Sequence, residues 1–135
     1  MAVADRNGLP IAVGIASGER AECQLVADTL AARFVKPLPQ RLIGDMAYDS
    51  DPLDAQLASS GVDMIAPHNP TRKRLTQDMR KMRRYRRRWR IERLFAWMMR
   101  CRRLVTRYEL KADNFLGFVR LACARIIWRR LRDAL

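Results

Sequence analysis

Positive charge is so unevenly distributed along this chain that it limits which segments can enter a core. Sixteen of the 27 lysines and arginines lie between Arg72 and Arg107, where Asp78 and Glu92 are the two acids. The remaining residues hold 11 basic and 12 acidic side chains, close to neutrality. Unpaired cations stay out of cores, so the basic segment must face water or a polyanion. A near-neutral body bearing one cationic segment, with formal charge +13 overall, is the footprint of a nucleic-acid binder. A membrane partner is not expected: the basic segment has no apolar run long enough to span a bilayer, and Met1 opens directly into Ala2-Val3-Ala4-Asp5 without a secretory leader.

The length of 135 residues predicts a single domain over 1–135. Cys23, Cys101 and Cys123 are widely separated, with no CxxC pair, and read as buried small hydrophobes in a reducing cytoplasm. His68 has no second His or Cys at ligand spacing and reads as a loop residue.

The pattern of residues predicts an α/β chain. Ala2-Val3-Ala4, the Asn7-Gly8 turn and Leu9–Ile15 form a hairpin. A helix from Gly18–Glu19 to Phe34 carries Cys23, Val26 and Leu30 at helical spacing. Leu42-Ile43-Gly44 is a short strand with Asp45 at its C-terminal end. A helix over 52–60, capped by Asp51, leads to a strand over 62–66, and this strand–helix–strand order implies a parallel pair. A loop over 67–76 bears Arg72, Lys73 and Arg74. One long helix is predicted from Asp78 to Arg107, and another from an Asp113 cap to Arg132, with Phe115, Phe118, Val119, Ala122 and Ile126 on its apolar face.

On the long basic helix, Ile91, Leu94, Phe95, Met98, Cys101 and Val105 share the core-facing stripe. Tyr85, Arg88 and Glu92 share an adjoining one. Glu92 has two readings. It neutralises Arg88 as an i,i+4 pair, or it is a metal ligand or general base set against phosphates held by the arginines. Hard Mg²⁺ or Mn²⁺ prefers carboxylate oxygens, and Asp45, at the end of a parallel strand, is the natural second acid. Trp97 and Trp128 read as core, while Trp89 lies nearer the Glu92 stripe, where it could stack on a base.

These residues resemble the insertion-sequence DDE transposases of the IS4 and IS5 groups. Tyr85, Arg88 and Glu92 match their Tyr-x2-Arg-x3-Glu signature, and Leu42 to Ser50 is similar to the block around their second catalytic aspartate. Asp5 to Pro10 resembles the hairpin before it, and Ile91–Trp97 and Arg102–Glu109 follow the family pattern. The resemblance implies a partial ribonuclease-H-like fold, a mixed sheet with flanking helices that ends in long basic helices. It also implies carboxylates holding two divalent ions (Mg²⁺ or Mn²⁺) for cleavage and transfer of DNA strands during transposition.

By position, Asp45 is the second acid and Glu92 the third, with Tyr85 and Arg88 orienting Glu92. Arg72, Lys73, Arg74, Tyr85, Arg88, Trp89, Arg93 and Arg100 are the expected DNA contacts. The expected partners are terminal inverted repeats and target DNA, with a homo-oligomer or a complementing upstream fragment, at a bacterial nucleoid. Met99 stands where the family often has Lys or Arg, with Arg100 next. The Asp-Gly-Ser/Thr block of the first acid is not found in this sequence, and Asp5 reads as a turn residue. The expectation is a chain that binds DNA but cleaves it poorly unless an upstream segment is supplied. A non-catalytic DNA-binding protein or regulator derived from a transposase is the alternative.

Overall fold

The computed structural model describes residues 1–73 and 81–135. Arg74 and the start of the predicted long helix at Asp78 lie outside the described residues. The strands are β1 (Ala2–Ala4), β2 (Pro10–Val13), β3 (Arg41–Ile43) and β4 (Asp63–Ile65). The helices are α1 (Val26–Ala31), α2 (Asp51–Ser59), α3 (Trp89–Met98), α4 (Arg102–Val105) and α5 (Ala112–Arg132). Short 3-10 segments cover Glu22–Leu25, Met46–Tyr48 and Lys81–Arg88. The chain is therefore α/β, as the sequence predicts.

β1 and β2 pair antiparallel around the Asp5–Gly8 turn. Asp5 shapes this turn: its carboxylate accepts from Asn7 N at 2.7 Å and Leu9 N at 2.8 Å. Gly8 adopts a φ of 79°, a region that costs a residue with a Cβ. The turn is thus a complete local explanation of Asp5, in keeping with its reading as a turn residue. β3 and β4 pair parallel, Leu42 opposite Met64, across the α2 connection. Among the described residues the two pairs form separate two-stranded sheets, so the expected mixed sheet is not continuous here.

Strand alternation makes the hairpin a wall between two cores. Val3 and Ala12 face a cluster with Val26, Leu30, Leu42, Leu53 and Met64. Val13, one residue on, faces the other way, onto Leu94, Met98, Val119 and Cys123. The first cluster fixes the parallel strands, and the second fixes α3 and α5. Neither side of the hairpin is left for solvent.

Several boundaries differ from the sequence reading. The first helix begins at Glu22 rather than Gly18 and starts as a 3-10 turn. Ser50, not Asp51, caps α2: its hydroxyl accepts from Leu53 N at 3.4 Å, and Asp51 becomes the first helical residue. α5 starts at Ala112 behind Lys111, without a side-chain cap, so Asp113 serves as a first-turn acid rather than the cap.

The largest correction concerns the long helix. Lys81–Arg88 is 3-10, α3 runs for 10 residues, and the chain turns at Met99–Cys101 before α4. Like-charged i,i+4 neighbours such as Arg83/Arg87 and Arg84/Arg88 disfavour α geometry in the first part. At the other end, Cys101 is extended (φ −94°, ψ 105°), which lets α5 fold back on α3. Phe95 and Val105 consequently leave the predicted core stripe and are 41% and 61% exposed, while Leu104 packs inward. Trp128 is also outside the core, at 68% exposure, whereas Trp97 packs against the second cluster. Of the cysteines, Cys123 is buried and Cys23 and Cys101 are half-buried, all as free thiols. Burial pushes the Cys123 thiol up to about 11, so it stays protonated and unreactive.

Candidate acidic site and basic surface

Asp45 follows β3, whose ladder extends one step as Gly44 N donates to Ile65 O at 3.0 Å. The carboxylate caps the Met46–Tyr48 turn, with Oδ1 accepting from Ala47 N at 2.9 Å. Among the described residues no donor reaches Oδ2. Gly44 is a close-approach position: a Cβ there would lie 2.5 Å from Tyr48 Cδ2 and 2.6 Å from Met64 Cε. Glycine therefore lets Tyr48 close over the strand end, and the turn that presents Asp45 depends on it. Burial, then Glu22 and Asp45, push the Tyr48 hydroxyl pKa upward.

Glu92 sits in the first turn of α3. Arg88 Nη2 donates to its Oε1 at 3.0 Å, and Arg88 Nη1 donates to Tyr85 Oη at 3.2 Å. The helix type explains the alignment. Three residues make about one turn of a 3-10 helix, which stacks Arg88 over Tyr85, and four residues make slightly more than one α turn, which brings Glu92 to Arg88. The break in helix type thus keeps Tyr85, Arg88 and Glu92 in one row.

The Lys81–Arg88 segment, which bears Tyr85 and Arg88, packs against both β3 and β4, with Lys81 Nζ donating to Asp63 Oδ1 at 2.8 Å. Arg88 registers the result. Its pKa is raised by Tyr85 first, then by Glu92 and also by Asp45, with burial opposing. Among the described residues, Asp45 and Glu92, on separate elements, each have one carboxylate oxygen that accepts from no donor.

Oxygen donors of this kind suit a hard divalent ion. Asp45 and Glu92 have the donor chemistry for such an ion, but no group of three His, Cys, Asp or Glu residues positioned for a metal occurs among the described residues.

The other predicted contacts divide by environment. Lys73 and Arg100 are exposed. Trp89 is 49% exposed beside the Glu92 row. Arg93 is turned inward: Nη2 donates to Asn7 O of the hairpin turn, and its guanidinium lies 4.7 Å from the Trp89 ring and 4.9 Å from the Trp97 ring. A Cβ on Gly8 would meet that guanidinium at 2.8 Å. Arg93 therefore clamps α3 to the hairpin.

Arg72 is held by Asp51 and by Asp49, whose Oδ1 accepts from Arg72 Nη1 at 2.6 Å. Asp49 is only 2% exposed and also accepts from Asn69 N at 2.8 Å, with His68 Nδ1 at 3.1 Å. Burial disfavours its charge, but the Asn69 amide, His68 and Arg72 together pull its pKa below the usual carboxylate range. Sequence reasoning missed this cluster and treated His68 as an ordinary loop residue. It expected the basic segment to face outward without naming Arg83, Arg84, Arg86 and Arg87 as contacts; these are exposed and have no carboxylate partner among the described residues. Their only signal was charge density, which does not say which side chains face out.

The sequence matches the family described as "Transposase DDE domain" over residues 1–127. It is 37% identical over 131 residues to a protein of Brucella ovis named as a candidate transposase for insertion sequence element IS6501. That match covers 96% of this chain and 95% of the relative. A Burkholderia cepacia protein named in the same way for insertion sequence element IS402 is 33% identical over 96 residues, covering 71% of this chain and 42% of that protein. No solved structure matches. The chain belongs to the DDE-domain family of insertion-sequence transposases.

Proposed function

We propose that the chain binds DNA and supplies Asp45 and Glu92, on a partial ribonuclease-H-like fold, as two carboxylates of a metal-dependent site for DNA strand cleavage and transfer. The observation that carries this reading is the row itself: Arg88 donates to both Tyr85 and Glu92, and the segment bearing Tyr85 and Arg88 packs on β3 and β4, the strand pair that leads to Asp45. A structural i,i+4 pair alone would account for Arg88 and Glu92 but not for the bond from Arg88 to Tyr85 or the packing of their segment on β3 and β4. Mg²⁺ or Mn²⁺ held by Asp45 and Glu92 would supply Lewis-acid activation of the attacking and leaving oxygens.

The protein's own groups position the reactants. Tyr85 Oη fixes one side of the Arg88 guanidinium, leaving its other side to orient Glu92. The exposed Arg83, Arg84, Arg86 and Arg87, together with Lys73, present charge to the phosphate backbone. Terminal inverted repeats and target DNA are the DNA partners in this reading. In this reading the chain binds DNA but cleaves it weakly unless another carboxylate is supplied.

The test is a binding titration of purified chain on duplex terminal-repeat DNA across KCl concentrations, paired with a nicking assay in Mg²⁺. Affinity should fall steeply with salt, because each phosphate contact adds about 0.9 to the slope of log K on log salt. A flat titration overturns the DNA reading. Strong Mg²⁺-dependent nicking by the chain alone, abolished by Asp45→Ala, overturns the requirement for a further acid.

A further inference from the structure

Between α3 and α5 lies a cavity of about 270 Å³, lined by Trp97, Arg100, Arg125, Arg129, Arg130 and Asp133. Four guanidinium groups thus line one cleft. Its single carboxylate is already engaged, since Asp133 Oδ1 accepts from Arg132 Nη2 at 3.0 Å and Nε at 3.3 Å. None of the four lining arginines forms an ion pair among the described residues. Arg125 Nη1 meets only the Cys101 sulfur, at 3.6 Å, and Arg130 lies 4.8 Å from the Trp97 ring. Converging cations repel unless an anion lies between them, and planar guanidinium forks match phosphate oxygens.

We infer that this cleft binds the phosphodiester backbone of DNA at a position separate from the one faced by Glu92. Trp97 follows Glu92 by five residues, which places it about 140° around α3. The cleft therefore opens on a different side of α3 from the Asp45–Glu92 row. Its volume is small for an enclosed organic ligand and suits one backbone unit. Recognition goes to phosphate rather than base, because the Trp97 indole already has Arg93 and Arg130 as its stacking partners. The inference rests on the DNA reading of the chain and adds a second contact to it.

The test uses the full chain, a labelled 20-base-pair duplex and separately inorganic phosphate, with the double substitution Arg125→Gln/Arg129→Gln. At about 0.1 M salt the variant should bind DNA at least tenfold more weakly, and its salt slope should fall by about 1.8, two contacts' worth. Arg125→Lys/Arg129→Lys should keep most of that slope. The Gln variant should melt no lower than the parent at low salt, since it removes like charges, and this separates lost binding from lost folding. A Gln variant with parental affinity and slope overturns the cleft while leaving the DNA reading intact. So does a variant that loses only the stabilisation given by free phosphate. A parent chain that binds no DNA overturns both.

Discussion

Replacing Asp49 with Ala perturbs a carboxylate that the sequence reading did not single out. Its side chain is 2% exposed and is contacted by Asn69 N, His68 Nδ1 and Arg72 Nη1, which together tie the loop after β4 to the segment after β3. Charge-assisted hydrogen bonds contribute about 1.5–3 kcal/mol each, but these share one carboxylate, and removing it also relieves the cost of burying its charge. Asn69 is exposed, so its amide regains water, and Arg72 keeps Asp51. The net loss should be about 2–4 kcal/mol. At roughly 3–5 °C per kcal/mol for a chain of this size, the melting temperature should drop by about 6–20 °C.

The assay is a circular-dichroism melt of parent, Asp49→Ala and Asp49→Asn from pH 7 into acid. The folded-state pKa of Asp49 is lowered, so its contribution is fully present above the ordinary value of 3.8 and disappears as pH falls through the lowered one. The gap between parent and variant should therefore hold from pH 7 to about pH 5 and close below about pH 4. Equal melts at pH 7, or a gap that widens in acid, would refute the reasoning.

Other outcomes follow from the same packing. Gly44→Ala should cost about 1–3 kcal/mol in urea unfolding, because Tyr48 and Met64 occupy the space a Cβ needs. Leu94→Ala, at a fully buried position, should cost about 2–5 kcal/mol, while Val105→Ala should stay within about 0.5 kcal/mol; the reverse order would restore the continuous helix. Arg93→Ala should lower stability by about 1–3 kcal/mol by freeing the hairpin turn and two indoles, and Arg93→Lys should recover only part of it.

Local chemistry made much of this chain legible. Asn7-Gly8 marked the hairpin because a tight turn needs a positive φ, and Leu42–Gly44 with Val62–Ala66 marked the parallel pair because short apolar runs flanked α2. What escaped depended on tertiary contacts. Nothing near Cys101 marks a chain reversal, since neither proline nor glycine is there; the turn is visible only once α5 docks on Leu94 and Met98. His68 looked unremarkable, and Arg72 looked like a DNA contact, because their partner, Asp49, is some 20 residues earlier in the chain. Arg93 looked like a DNA contact because its spacing put it outside the core stripe, while its real partner, Asn7, is 86 residues away. Tyr85, Arg88 and Glu92 could be placed in one row because their spacing aligns in either helix type. The packing of the Lys81–Arg88 segment on β3 and β4 could not be read from spacing.

The pairing of Asp45 with Glu92 is tested most directly by Mn²⁺ binding, read by electron paramagnetic resonance on the chain with terminal-repeat DNA bound. If both acids hold the same ion, Asp45→Asn and Glu92→Gln should each weaken Mn²⁺ binding at least tenfold. The double variant should be little worse than either single one, and metal-free DNA affinity should not fall, since each change removes an acid and Glu92→Gln also frees Arg88. Parental Mn²⁺ affinity in both single variants would contradict the account and leave Glu92 as a surface partner of Arg88.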